Sequence, residues 1–204
     1  MEKFLFIGNS HTYYNDMPDI FRRICKWNGK DVFCVMLAHG GVGLDYHVGE
    51  PEAAHNITFG GYDRVVIQHR ANPFCEDSFF EAGRELVRLT KKGGSKGLVY
   101  MAWPKLSDRD TQGVATDACI RFCRESGFDF CPAGEAWWEF LDAHPEIEMF
   151  RKDGMHASKK GSYLAACCIY SAAYGERAKT DGDPIHEKMA QLAFDTYQRF
   201  SECL

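Results

Sequence analysis

The chain of 204 residues contains no run of Lys or Arg longer than two, and its 24 basic residues are outnumbered by 29 acidic ones. Sequence-independent nucleic-acid binding needs a basic footprint that releases phosphate counterions, so no nucleic-acid partner is expected. Long apolar runs are also missing. The longest helical apolar stretch, residues 164–174, falls short of the roughly 20 residues of a membrane span. At the amino end only Phe4 to Ile7 precede polar residues, fewer than the roughly 7 to 15 apolar residues of an export signal. These absences read as a soluble, cytoplasmic protein with no membrane partner. The nine cysteines form no C-x-x-C pair, and several lie inside apolar runs, so they read as reduced thiols. No P-loop, G-x-G-x-x-G or H-E-x-x-H pattern occurs, and no cofactor or metal is expected.

What is present is an alternation of strand-like and helical patterns. Phe4 to Ile7 read as a strand apolar on both faces, breaking at Gly8-Asn9. A helix starts at Asp16-Met17-Pro18 and stops at Asn28-Gly29, followed by a second buried strand over 31–37 and a glycine-rich loop over 38–43. Residues 44–61 look irregular. A third strand over 62–68, a helix over 76–92, a fourth strand over 97–103, a helix over 114–125 and a short strand over 128–131 follow. An aromatic segment around Trp137 and Trp138 then leads to helices over 159–174 and 184–203. Connections long enough for crossovers imply right-handed βαβ units in one domain spanning residues 1–204. The expected architecture is an α/β three-layer sandwich on about five parallel strands.

The candidate chemistry sits at the carboxyl ends of those strands, where the ligand crevice of an open α/β sheet lies. Ser10 leaves the first strand there. Taken alone it is a polar turn residue or a helix cap. A serine hydroxyl becomes a nucleophile when a base takes its proton and a third group orients that base. His156, with Asp153 three residues before it on one turn, is the best base the chain offers. Donors for a developing oxyanion could come from Gly41 and Asn72, which follow the second and third strands, and by alternation Gln68 also reaches that sheet end. His39, His47 and His69 cluster in the same loops, where solvated histidines are the simplest account and a divalent metal the alternative. A G-x-S-x-G string at Gly93 to Gly97 has the wrong context for a nucleophile elbow. It follows a helix and precedes a strand, so Ser95 reads as an ordinary turn residue.

Together these segments resemble the SGNH, or GDSL-type, hydrolase family. Gly8-Asn9-Ser10 is similar to its first block with Asn in place of Asp, Gly40-Gly41 to the second, Ala71-Asn72 to the third, and Asp153-Gly154-Met155-His156 to the last. In the third block Pro73 stands where the family has Asp. The resemblance implies a flavodoxin-like sandwich with Ser10 as nucleophile, His156 as base and Asp153 as its orienter. The Ser10 N–H, the Gly41 N–H and the Asn72 side chain would form the oxyanion hole, with Gln68 as the competitor for Asn72. The expected activity is hydrolysis of a small-molecule acyl ester, such as an O-acetyl group on a sugar, through an acyl-enzyme. The alternatives are a thioesterase or acyltransferase with the same residues, or a binding domain that kept the fold.

Overall fold

A computed structural model describes residues 1–204. Strand β1 (Glu2–Gly8) buries Phe4, Leu5, Phe6 and Ile7 completely. Its side chains alternate between faces, as a pleat requires. Phe4 and Phe6 enter a core with Phe21, Ile24 and Leu164, whereas Leu5 and Ile7 enter a second core with Val65, Phe79 and Leu86. The double burial is why this strand reads as a continuous apolar run.

The chain continues through a short helix α1 (Ser10–Tyr13), a 3-10 turn (Tyr14–Asp16) and α2 (Met17–Trp27) to β2 (Val32–Ala38). Helices α3 (Leu44–Gly49) and α4 (Pro51–Phe59) precede β3 (Arg64–Ile67), and α5 (Glu76–Gly93) precedes β4 (Lys96–Tyr100). A second 3-10 turn (Leu106–Thr111) and α6 (Gln112–Ser126) lead to β5 (Asp129–Cys131), followed by α7 (Ala133–Ala143), α8 (Lys159–Tyr174) and α9 (Pro184–Ser201). All strand pairs are parallel, in the order β2-β1-β3-β4-β5. Helices α2, α7, α8 and α9 pack on one face and α4, α5 and α6 on the other, giving the expected three-layer α/β/α sandwich. The chain leaves β1 toward β2 on one side and returns to β3 on the other. This switch point opens a crevice beyond the carboxyl ends of β1 and β3.

Several expectations need correction. The segment read as a buried strand over 31–37 is an edge strand: no strand lies beyond β2, and Phe33 and Met36 are 48% and 39% exposed. Residues 44–61 are not irregular but form α3 and α4. The break at Glu50-Pro51 leaves two pieces too short for a 3.6-residue pattern, and α4 nevertheless buries Ala53 and Ile57. The fourth strand stops at Tyr100 rather than Trp103. Trp137 and Trp138 are helical, in α7, and Trp137 stacks on Trp103 at 3.5 Å between ring centres. All nine cysteines are free thiols, most of them buried. No helix is long and apolar enough to cross a membrane.

Candidate active site

Ser10 is the first residue of α1, directly beyond β1, and is 8% exposed. Its turn is held from three sides. The Asn9 side chain accepts the His11 N–H (3.0 Å) and donates to the Val42 carbonyl (2.8 Å). The Asn9 N–H donates to Gln68 Oε1 (2.9 Å), which also accepts the Thr12 hydroxyl (3.0 Å). Gln68 in turn donates to the His69 carbonyl. Glycine at position 8 is what permits this approach, since a Cβ there would lie 2.6 Å from Gln68 Oε1 and collide with the Thr12 hydroxyl. From the other side, His47 Nε2 donates to the Gly8 carbonyl (2.8 Å).

His156 arrives from the distant loop before α8. Its Nε2 lies 3.0 Å from Ser10 Oγ, and its Nδ1 lies 2.8 Å from Asp153 Oδ2. The other carboxylate oxygen, Asp153 Oδ1, accepts the Met155 and His156 N–H groups at 2.9 Å each. The hydrogen bond from the imidazole, helped by those two N–H groups, draws the Asp153 carboxyl down to about 2, so it stays ionised at neutral pH. The loop is clamped by Trp103 Nε1, which donates to the Met155 carbonyl (3.1 Å), and by the Leu106 N–H on the Gly154 carbonyl (2.7 Å). Gly154 has φ +65°, a conformation that suits glycine. Tyr14 stacks on the outer face of the His156 ring at 4.2 Å. A hydroxyl in reach of an imidazole that is oriented by a carboxylate is an arrangement able to generate a nucleophile.

Ser10 and His156 open into a cavity of about 310 Å³ that Gly41 and Asn72 also line. The Asn72 Oδ1 accepts the Lys105 N–H (2.6 Å), which turns the amide nitrogen the other way. That nitrogen is buried and has no partner. Gly41 has φ +74° and its N–H makes no hydrogen bond within the chain. Gln68 lies at the sheet end where alternation puts it, but both ends of its amide are engaged in holding the Ser10 turn. It does not line the cavity. Asn72, which precedes the cis peptide bond to Pro73, is the amide left with a free donor.

The loop histidines separate on inspection. His47 supports Gly8 from a buried position, His69 Nδ1 accepts the Leu44 N–H (3.2 Å), and His39 leans on Tyr46. No group of three His, Cys, Asp or Glu side chains is placed to hold a metal ion. The imidazole that does join His156 at the cavity is His11, with ring centres 6.1 Å apart, and sequence reasoning gave it no role. Burial, and then the neighbouring His156, push its pKa down to about 4. It is therefore neutral beside His156. A lone histidine after a serine carries no signal for this; only its packing against Trp103 at 5.2 Å reveals it. Ser95 sits at the opposite sheet edge, where its hydroxyl donates to the Tyr62 carbonyl (2.6 Å).

No family model matches the sequence, and no curated relative matches it. Solved structures do. A DUF4886 family protein from Bacteroides uniformis superposes with a TM-score of 0.79 at 20% identity, over 98% of this chain and 96% of that one. A candidate SGNH hydrolase from Slackia heliotrinireducens gives 0.71 at 20% identity, over 84% and 98% of the two chains. Axe2, an acetylxylan esterase from Geobacillus stearothermophilus, gives 0.67 at 16% identity, over 88% and 97%. At these identities the likeness is one of architecture, and it agrees with the crevice at the β1–β3 switch point: the chain has the SGNH, or GDSL-like, hydrolase fold.

Proposed function

We propose that the protein is a serine hydrolase that cleaves a small acyl ester through an acyl-enzyme. The observation that carries this reading is the unbroken hydrogen-bond chain from Ser10 Oγ through His156 to Asp153, at 3.0 and 2.8 Å, opening onto a cavity. In the first half-reaction Ser10 Oγ bonds to the acyl carbon while its proton passes to His156 Nε2. The imidazolium returns that proton to the leaving alcohol as the ester C–O bond breaks. In the second, His156 takes a proton from water, the water oxygen bonds to the acyl carbon, and Ser10 Oγ recovers the proton as the acid departs. The unpartnered Asn72 amide nitrogen and the free Gly41 N–H are the donors for the negative charge that develops on the carbonyl oxygen in both steps. Gln68 acts at one remove, as a positioning residue for the Ser10 turn.

The small cavity favours a short acyl group, and the fold shared with an acetylxylan esterase makes an O-acetyl sugar the first natural ester to try. Intact mass after treatment with a serine-directed phosphonate tests the reading. One adduct, mapped to Ser10, is expected; a folded protein that remains unlabelled, or is labelled elsewhere, would refute it. Product analysis with an added alcohol distinguishes hydrolysis from acyl transfer.

A further inference from the structure

Arginines in this chain do not go unmet, with one exception. Arg64 pairs with Glu2 and Asp129, Arg151 lies over the Tyr14 ring, and every other arginine but one likewise meets a carboxylate or a carbonyl oxygen. The exception is Arg70. It forms no ion pair, no hydrogen bond and no contact with an aromatic face, and its Nε is buried without a partner. The residue is half-buried and lines the cavity that holds Ser10, His156 and Asn72. No carboxylate lines that cavity, so Arg70 is its one fixed charge, in a chain of net charge −5.

A guanidinium that has given up part of its water to the protein and received no acceptor in return carries an uncompensated cost. Such a group is a ready binding site for an oxyanion, because its planar fork of N–H donors matches two oxygens at once. Its place in the chain fixes where that oxyanion would lie. Arg70 precedes Asn72 by two residues in the loop leaving β3, and both line the cavity onto which Ser10 opens.

Resting on the serine-hydrolase reading, we infer that Arg70 anchors a negatively charged group of the substrate, so that the preferred ester bears a carboxylate, sulfate or phosphate near the scissile bond. Two matched pairs of esters test this and separate the sources of the charge. Phenyl acetate against 3-acetoxybenzoate places it on the alcohol; 4-nitrophenyl butyrate against the 4-nitrophenyl monoester of glutarate places it on the acyl group. In the native protein the charged member of at least one pair should be favoured in kcat/KM by about 10- to 100-fold, chiefly through KM, the span that a charge-assisted hydrogen bond provides. Arg70→Gln should remove this preference, and Arg70→Lys, which keeps the charge without the fork, should keep part of it.

Neutral esters turned over as well as charged ones in both pairs would overturn the inference while leaving the hydrolase reading intact. So would a preference that survives in Arg70→Gln. An equal fall in kcat for charged and neutral esters would move Arg70 to the oxyanion and likewise overturn it. If no ester is turned over, the hydrolase reading fails and the anion site is still decided by calorimetry on Ser10→Ala. Binding of 3-acetoxybenzoate or of the 4-nitrophenyl monoester of glutarate that weakens at least tenfold in Ser10→Ala/Arg70→Gln supports it, and no binding of either, or equal binding in the double variant, refutes it. Circular dichroism of each variant checks that it folds.

Discussion

The Asn15 amide nitrogen lies 2.8 Å from the Ser162 hydroxyl, and this contact ties the segment that bears Ser10 to the segment that bears His156. The same nitrogen reaches the carbonyls of Ala157 (2.9 Å) and Ser158 (3.0 Å), while Ser162 donates back to the Tyr14 carbonyl (3.2 Å). Asn15 holds φ +55° to do this, a conformation asparagine tolerates better than most residues. Asn15→Gly keeps the backbone free and removes only the amide. It should lower the melting temperature by a few degrees and kcat by up to about 10²-fold, the scale on which a misplaced catalytic group acts. Unchanged kcat with unchanged melting would mean the strap is ornamental.

Ser10→Ala should lose roughly 10⁴- to 10⁶-fold in kcat while melting as the native protein does, because it deletes one oxygen at the cavity wall and leaves the turn's hydrogen bonds in place. Steady-state kinetics on an activated acetate ester, paired with thermal melts, checks this. Activity within tenfold of native would end the serine mechanism.

The pH profile follows from the two partners of the imidazole. With its carboxyl held at about 2, Asp153 remains ionised throughout the range in which kinetics are measured. No carboxylate limb from Asp153 should therefore appear in kcat/KM above about pH 4. Asp153→Asn removes the charge that steadies the imidazolium and should cost about 10⁴-fold at the plateau, with no new carboxylate limb. Activity undiminished in His156→Ala would take His156 out of the chemistry.

Asn72 and Gln68 should fail in different ways. If Asn72 is the proposed oxyanion donor, Asn72→Ala, which also removes the acceptor of the Lys105 N–H, should lower kcat by about 10² to 10³ at nearly constant KM. Gln68→Ala instead strands the Asn9 N–H, the Thr12 hydroxyl and the His69 carbonyl in a buried place, at about 1–3 kcal/mol for each group left without water. Its melting temperature should fall by several degrees, with activity following fold. The opposite pattern, a stable Gln68→Ala with a pure kcat defect, would return the oxyanion role to Gln68.

Acid should unfold this protein early. His11 and His69 are buried and their pKa values are pushed down to about 4, burial being the larger cause in each. In the unfolded chain they bind protons at the ordinary 6.5, so the unfolded state takes up protons first as pH falls. Their contribution is complete above about 6.5 and is lost between there and about 4, at most about 3 kcal/mol each. Urea midpoints measured from pH 7 to pH 4 should drop accordingly, and less steeply in His69→Gln. A flat series would contradict the buried, neutral assignment.

Much of the frame was legible because it is local. Four buried apolar residues followed by Gly8-Asn9 announce a strand and its exit turn, and Asp153 and His156 are near enough in sequence to share one turn. What depended on distant partners was not legible. Alternation correctly sends Gln68 to the crevice end of β3, but its amide is captured by a backbone N–H 59 residues away, where the missing Cβ of Gly8 makes room. The histidines of the β2 and β3 loops were misplaced for the same reason: His47 and His69 serve buried backbone groups that no periodicity reveals, while His11 takes the cavity position. The edge location of β2 depends on strand order, which its own residues do not encode.

The sheet order also divides the Ser10–His156 pair between regions that open at different rates. β1 is hydrogen-bonded along both sides, to β2 and to β3, and its buried amides can reach water only when the sheet opens around it. The stretch from His144 to Ser158 has neither helix nor strand, and only one bridge, Phe150 to Ala157, and isolated turn hydrogen bonds hold it to itself. Local opening there needs far less free energy than opening the sheet. Amides at Asp153 to His156 should exchange with deuterium well before those at Phe4 to Ile7. In urea below the unfolding midpoint, the serine should lose its imidazole, reversibly, while the sheet is still whole.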